Sequence, residues 1–126
     1  MLRIFAWIWN LITLIYLLFV SWKSGSEDRS LRISKADCYS GLGWYVSAAL
    51  AYHKAFELSD EPDDPELHAK LGWVYGRLDM DEKSLRHYRI AYEKNKSPEI
   101  GIGLAFAEHI MGNIDEFRNV WAQLKR

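Results

Sequence analysis

The sequence predicts an all-α chain: a single N-terminal transmembrane helix followed by about three helical hairpins stacked as an α-solenoid. Three observations predict it. An uninterrupted apolar run occupies residues 4–22. A three-fold echo then relates Ala36, Gly72 and Ala105 by steps of 36 and 33 residues. The same two steps link Leu42, Leu78 and Met111, then Gly43, Asp79 and Gly112, then Tyr52, Tyr88 and Trp121, then Ala55, Ala91 and Leu124; Pro62 and Pro98 keep the first step. Echoes of this period mark stacked repeats, in which no unit buries its apolar face alone. Third, the echoed residues fall at spacings of 4 and 3, the stripe of a helix face.

The first element is the apolar run. Nineteen helical residues reach about 28 Å, close to a hydrocarbon core of about 30 Å. Trp7 and Trp9 stand near one end and Trp22 near the other, where an apolar ring with a polar N–H favours the membrane boundary. Arg3 and Lys23 frame the run and can snorkel to headgroups. A cleaved signal needs a shorter core and a small-residue cleavage site, which residues 19–23 supply poorly. A presequence should be amphipathic, and this run is not. Asn10, polar inside the run together with Thr13 and Ser21, reads as a contact to a partner helix or a tolerated polar group. The anchor is therefore set at residues 1–23 of a single-pass membrane protein, in a bacterial inner membrane or alternatively an organellar one. Lys and Arg counts favour a cytosolic C-terminal side, but several of those charges belong to the next helix, and the side stays open.

Residues 24–28 form a short joint, with Ser24-Gly25-Ser26 as its flexible part. The repeat module occupies 29–126, in units of about 29–62, 65–97 and 98–126. In the first, a turn at Leu42-Gly43-Trp44 precedes a helix over 45–58 that places Ala48, Tyr52 and Ala55 on one face. In the second, Asp64 is an N-cap, Pro65 suits the first turn, Leu71, Gly72 and Tyr75 face inward, and Ser84, Tyr88 and Ala91 repeat the stripe. The third starts at Pro98 with Ser97 as cap, turns at Met111-Gly112-Asn113, and ends in Phe117, Trp121 and Leu124. Alternating small and large residues let two helices approach while an aromatic ring fills the adjacent groove.

Composition narrows the function. The 126 residues carry a formal net charge of -1, which makes no electrostatic case for nucleic acid. Residues 1–26 hold Arg3 and Lys23 and no acid, so the rest is mildly acidic. Cys38 is the one cysteine, so no intramolecular disulfide forms, and its mid-helix place reads as a small apolar packing role. His53, His68, His87 and His109 show no ligand spacing. Gly101-x-Gly103 opens a helix without a preceding strand and is no phosphate loop, and the acidic run 60–64 lacks the glycine and spaced glutamate of a calcium loop. No nucleophile–base pattern stands out. The expectation is a protein without catalytic residues, cofactor or metal.

The run Leu71-Gly72…Tyr75…Ser84…Tyr88…Ala91…Pro98 resembles the tetratricopeptide (TPR) family. Ala36, Tyr39, Gly43, Ala48, Tyr52 and Ala55 resemble it in the first unit, and Leu104, Ala105 and Gly112 in the third. Arg32, His68 and Gly101 stand where the family's first-helix Trp is usual, Lys35 replaces an apolar residue, and Phe117 a small one. The chain stops after the third pair without the family's polar capping helix. The resemblance implies a right-handed superhelix whose concave groove is lined by the first helix of each pair. Carried onto this chain, that groove takes Ile33 and Asp37 from the first unit, Trp73 and Arg77 from the second, and Ile102, Phe106, His109 and Ile110 from the third. It lacks the Lys/Asn pattern of members that clamp a C-terminal carboxylate, so an apolar peptide or helix is the expected ligand. Packing between successive repeats is the competing role for Trp73 and Phe106. A second surface is the uncapped end, with Phe117, Val120, Trp121 and Leu124 on one helix. The expected function is a membrane-anchored adaptor, assembly factor or accessory subunit of a membrane protein complex. The alternative is a chaperone-like holder of an apolar segment during export or assembly.

Overall fold

The computed structural model describes residues 2–24, 28–58 and 64–126. They form seven α-helices, with no strand among the described residues: α1 (Leu2–Ser24), α2 (Arg29–Gly41), α3 (Tyr45–Glu57), α4 (Pro65–Arg77), α5 (Asp81–Lys94), α6 (Pro98–Ile110) and α7 (Ile114–Leu124). The all-α prediction holds, and α1 is long and apolar enough to cross a membrane. Part of the joint, residues 25–27, and most of the acidic linker, residues 59–63 with Pro62, lie outside the described residues. The chain divides into two compact units, Met1–Pro62 and Asp63–Arg126.

The echo has a backbone counterpart. Gly43, Asp79 and Gly112 all take positive φ, at 83°, 58° and 77°. Each sits in a left-handed helix stop built the same way. The N–H of Trp44, Met80 and Asn113 reaches back five residues, to the carbonyls of Tyr39, Tyr75 and Glu108, at 2.9 Å in every case. The N–H of Gly43, Asp79 and Gly112 reaches back three, to Ser40, Gly76 and His109, at 3.0–3.2 Å. These bonds satisfy the orphan carbonyls at the end of α2, α4 and α6 and turn the chain into α3, α5 and α7. Glycine enters this conformation freely, whereas Asp79 does so at a steric cost. Asp79→Gly is therefore expected to stabilise its hairpin by about 0.5–1 kcal/mol. Thermal melting would show a rise for this variant and a fall for Gly43→Ala or Gly112→Ala; a fall for Asp79→Gly would refute the assignment.

The helix starts are capped as their residue types indicate. Asp64 accepts from the N–H of Glu66 and Leu67 at 3.1 and 3.4 Å, with Pro65 in the first turn of α4. Ser97 accepts from Ile100 N–H at 3.4 Å, ahead of Pro98. Asp28, placed in the joint by its sequence position, is the N-cap of α2, accepting from Leu31 N–H at 2.8 Å.

In the first unit α2 and α3 form a hairpin around Ala36, Ala48, Ala49, Tyr52 and Ala55, all buried. The Tyr52 hydroxyl donates to the Asp37 carboxylate. Burial first, and then that bond, push the phenol well above its ordinary value. Lys35 is buried on α2, and desolvation followed by the nearby Lys54 charge lowers its pKa. The helix α1 also packs on α2. Trp7 Nε1 donates to the Leu42 carbonyl at 3.3 Å, the Asn10 side chain fills the space over Gly41, and Leu14 is buried with Cys38 and Leu42. Residue numbers rise along α1 as they fall along α2, so the pair is antiparallel.

In the second unit α4–α5 and α6–α7 are hairpins, with α5 against α6 between them. Leu67, Leu71 and Val74 are its largest fully buried side chains, and Leu85, Tyr88, Tyr92, Leu104 and Val120 belong to a shared core. Two glycines set the spacing. A Cβ on Gly72 would stand 2.8 Å from Tyr88 Cδ2, and one on Gly103 would stand 2.7 Å from Tyr88 Cζ. The Tyr88 ring is thus wedged between α4 and α6, where any side chain on either helix would exclude it.

Candidate functional site

The wedge borders a cleft. Because Gly72 and Gly103 carry no side chains, α4 and α6 flank Tyr88 closely, and both glycines line a depression of about 320 Å³. Trp73 and Arg77 wall it from α4; Ile102, Phe106 and Ile110 wall it from α6; Tyr88 and Ser84 form the floor. The Ser84 hydroxyl proton is already committed, since it is donated to the Gly72 carbonyl at 2.6 Å. Burial pushes the Tyr88 phenol up to about 12, so the floor is neutral at physiological pH.

The walls are apolar and open to solvent. Phe106 is 65 % exposed, Ile102 57 %, and Trp73 and Ile110 48 % each. Arg77 lies 6.0 Å from the Trp73 ring centroid and, with Asp81, brings charge to the site. Small-molecule pockets run from roughly 300 to 1,000 Å³. This cleft sits at the lower bound, and its hydrocarbon walls suit a few side chains of a segment lying across it.

Five of the expected groove residues, Trp73, Arg77, Ile102, Phe106 and Ile110, thus share one cleft. His109 does not join them. It lies on the far side of Phe106, 5.3 Å from the Phe117 ring, in a second depression of about 180 Å³ completed by Ile102, Ala105 and Trp121. Phe106 and Ile102 form the ridge between the two. Ile33, half-buried, and Asp37, engaged by Tyr52, belong to the first unit.

The C-terminal helix divides its apolar residues. Val120 is buried in the core, and Leu124 packs on Gly101, where a Cβ would stand 2.6 Å from Leu124 Cδ2. Phe117 stacks on Trp121 at 6.1 Å, and Trp121 is left 45 % exposed beneath the Lys125 ammonium. In α1, Trp9 and Trp22 are exposed, while Trp7 bonds the carbonyl of Leu42 at the end of α2 and Asn10 packs over Gly41.

Two side-chain clusters escape sequence spacing. His68 and His87 bring their Nδ1 atoms to 2.9 Å, with rings stacked at 5.2 Å and Tyr75 stacked on His87 at 5.4 Å. Nineteen residues separate them, so only the α4–α5 hairpin reveals the pair. Among the described residues, no group of three or more His, Cys, Asp or Glu is placed to hold a metal ion. Glu108, buried on α6, accepts a forked pair from Arg89 at 2.8 and 3.0 Å and a third bond from Asn113 at 2.7 Å. This network pins α5 and the start of α7 to α6, the helix that carries Phe106.

No family model matches the chain, and a search of curated proteins finds no match.

Proposed function

We propose that the chain is a non-enzymatic, single-pass membrane protein whose hairpins form a TPR-like array and hold a partner at the bilayer surface. In this reading it is an adaptor, assembly factor or accessory subunit of a membrane protein complex, in a bacterial inner membrane or alternatively an organellar one. The observation that carries the reading is the exposed Trp73–Phe106 cleft on a chain that begins with an apolar helix of spanning length. Three hairpin turns of one geometry, in register with the echo, support the TPR-like part. Large aromatic side chains beside an arginine are the residue types that dominate interface energetics. Tethering adds to this: a module confined to a bilayer meets membrane partners at high effective concentration, so a modest cleft suffices.

Extraction in mild detergent, followed by affinity capture and mass spectrometry, tests the proposal. A stoichiometric partner is expected with the full chain. Trp73→Ala/Phe106→Ala should reduce its recovery more than tenfold, since two hot-spot truncations cost about 2 kcal/mol or more each. A partner retained at full yield by that variant would remove the cleft from the account. The openness of the cleft to solvent favours a second reading, in which the chain transiently holds an apolar peptide or helix during export or assembly. Salt-insensitive, short-lived peptide complexes would distinguish it from a permanent subunit.

A further inference from the structure

The helix α1 has two partners that it cannot satisfy together. Along one stripe it is seated on α2. Trp7 bonds the Leu42 carbonyl, Asn10 occupies the space left by Gly41, and Leu14 is buried with Cys38 and Leu42. This contact lies in the middle of the stretch Leu2–Lys23 that would have to cross a bilayer. The partner helix is not one that hydrocarbon accepts: α2 carries Arg29, Arg32, Lys35 and Asp37 within thirteen residues. A spanning α1 that kept its seat would draw these charges to membrane depth.

The docked arrangement, in turn, leaves most of α1 uncovered. Ile8, Ile12, Ile15 and Phe19 are all more than 40 % exposed. The helix has no charged or strongly polar face, so it does not suit a position half-immersed at the interface, where helices keep one polar side in water. Its apolar surface is fully covered only when it crosses.

We propose that docking on α2 and crossing the bilayer are alternative states of α1, and that insertion lifts α1 off α2 and uncovers the Cys38–Leu42 face. The inference rests on the membrane-anchored reading above. The contact with α2 then shields the Trp7–Asn10–Leu14 stripe of α1 before insertion. After insertion, the module presents an apolar strip on α2 beside the membrane that the uninserted protein conceals.

The single native cysteine is placed to report the change. Leu14→Cys in the full chain pairs a second thiol with Cys38. The inserted form is the chain synthesised into vesicles of phosphatidylethanolamine and phosphatidylglycerol and recovered by flotation. The docked reference is the same variant with Ile12→Arg and Ile15→Arg, two exposed positions off the α2 contact that keep α1 in water. A short bismaleimide should cross-link the reference intramolecularly and the floated protein at least tenfold less. Without Leu14→Cys, Cys38 should react with membrane-permeant N-ethylmaleimide at least tenfold faster in vesicles than in the arginine reference. Equal cross-linking in the floated protein overturns the inference and leaves the anchored reading intact. No cross-link in the reference, or equally slow Cys38 labelling in both, also overturns it. A chain that never floats removes both the inference and the anchored reading.

Discussion

Arginine at Ile12 and Ile15 is expected to move the protein from the membrane to the soluble fraction. Both residues lie at the centre of the Leu2–Lys23 stretch and are exposed, at 54 % and 59 %. Each arginine at the middle of a spanning helix costs about 2.5–3.5 kcal/mol of insertion free energy. Two together cost about 5–7 kcal/mol, a shift in partition on the order of 10⁴ at 1.4 kcal/mol per decade. Neither position belongs to the stripe of Trp7, Asn10 and Leu14, so the contact with α2 survives the change. Alkaline carbonate extraction and vesicle flotation provide the readout. Parent protein should stay with lipid and the double variant should not. If the variant remains membrane-bound after carbonate, α1 is not the anchor.

The second large effect is expected at Gly103. Valine there places a branched side chain against the Tyr88 ring, which a mere Cβ would already approach to 2.7 Å at Cζ. The ring has little room to retreat, because on the opposite side it lies so close to Gly72 that a Cβ there would stand 2.8 Å from its Cδ2. Overpacking of this kind costs typically 1–3 kcal/mol, and the clamped ring puts Gly103→Val at about 3 kcal/mol. That is a large fraction of the few kcal/mol that hold a small domain together. Tyr88→Ala alone should cost about 3–5 kcal/mol through the cavity it leaves. The valine fills part of that cavity, so the two substitutions together should cost at least about 1 kcal/mol less than their sum. Urea unfolding of the full chain in its arginine-solubilised form measures all three variants. Strict additivity, or an unchanged midpoint for Gly103→Val, would show that Tyr88 is not a wedge. Since the same wedge shapes the Trp73–Phe106 cleft, its loss should also weaken partner capture.

Much of the hairpin architecture was legible along the chain. The step relating Gly43, Asp79 and Gly112 marks three helix stops because the left-handed turn has a local requirement for glycine or a short polar side chain. Asp64, Ser97, Pro65 and Pro98 mark helix starts for an equally local reason: orphan N–H groups need an acceptor, and proline lacks the N–H that would need one. Asp28 was readable by the same rule, but its place next to a Ser/Gly stretch concealed it. The aromatic wall of the cleft was visible in part, since Trp73, Phe106 and Ile110 fall on the face that the TPR resemblance implies for the groove. The resemblance implies the same face for His109, yet its ring turns to Phe117, a neighbour contributed by α7.

By itself, the sequence determined the helical class, the apolar first helix, the caps and the repeated turns. Each depends on residues within a few positions of one another, so periodicity and residue type suffice. The tertiary structure alone decided which side chains meet across helices. Tyr88 between two glycines, His68 on His87, and Glu108 under Arg89 and Asn113 are pairings set by how helices cross, and no spacing along the chain encodes a crossing. The seat of α1 on α2 is of the same kind. An apolar run reads as a free anchor until packing shows that Leu14 can bury itself against Cys38 and Leu42, because hydrophobic burial is satisfied equally by a protein face or by lipid.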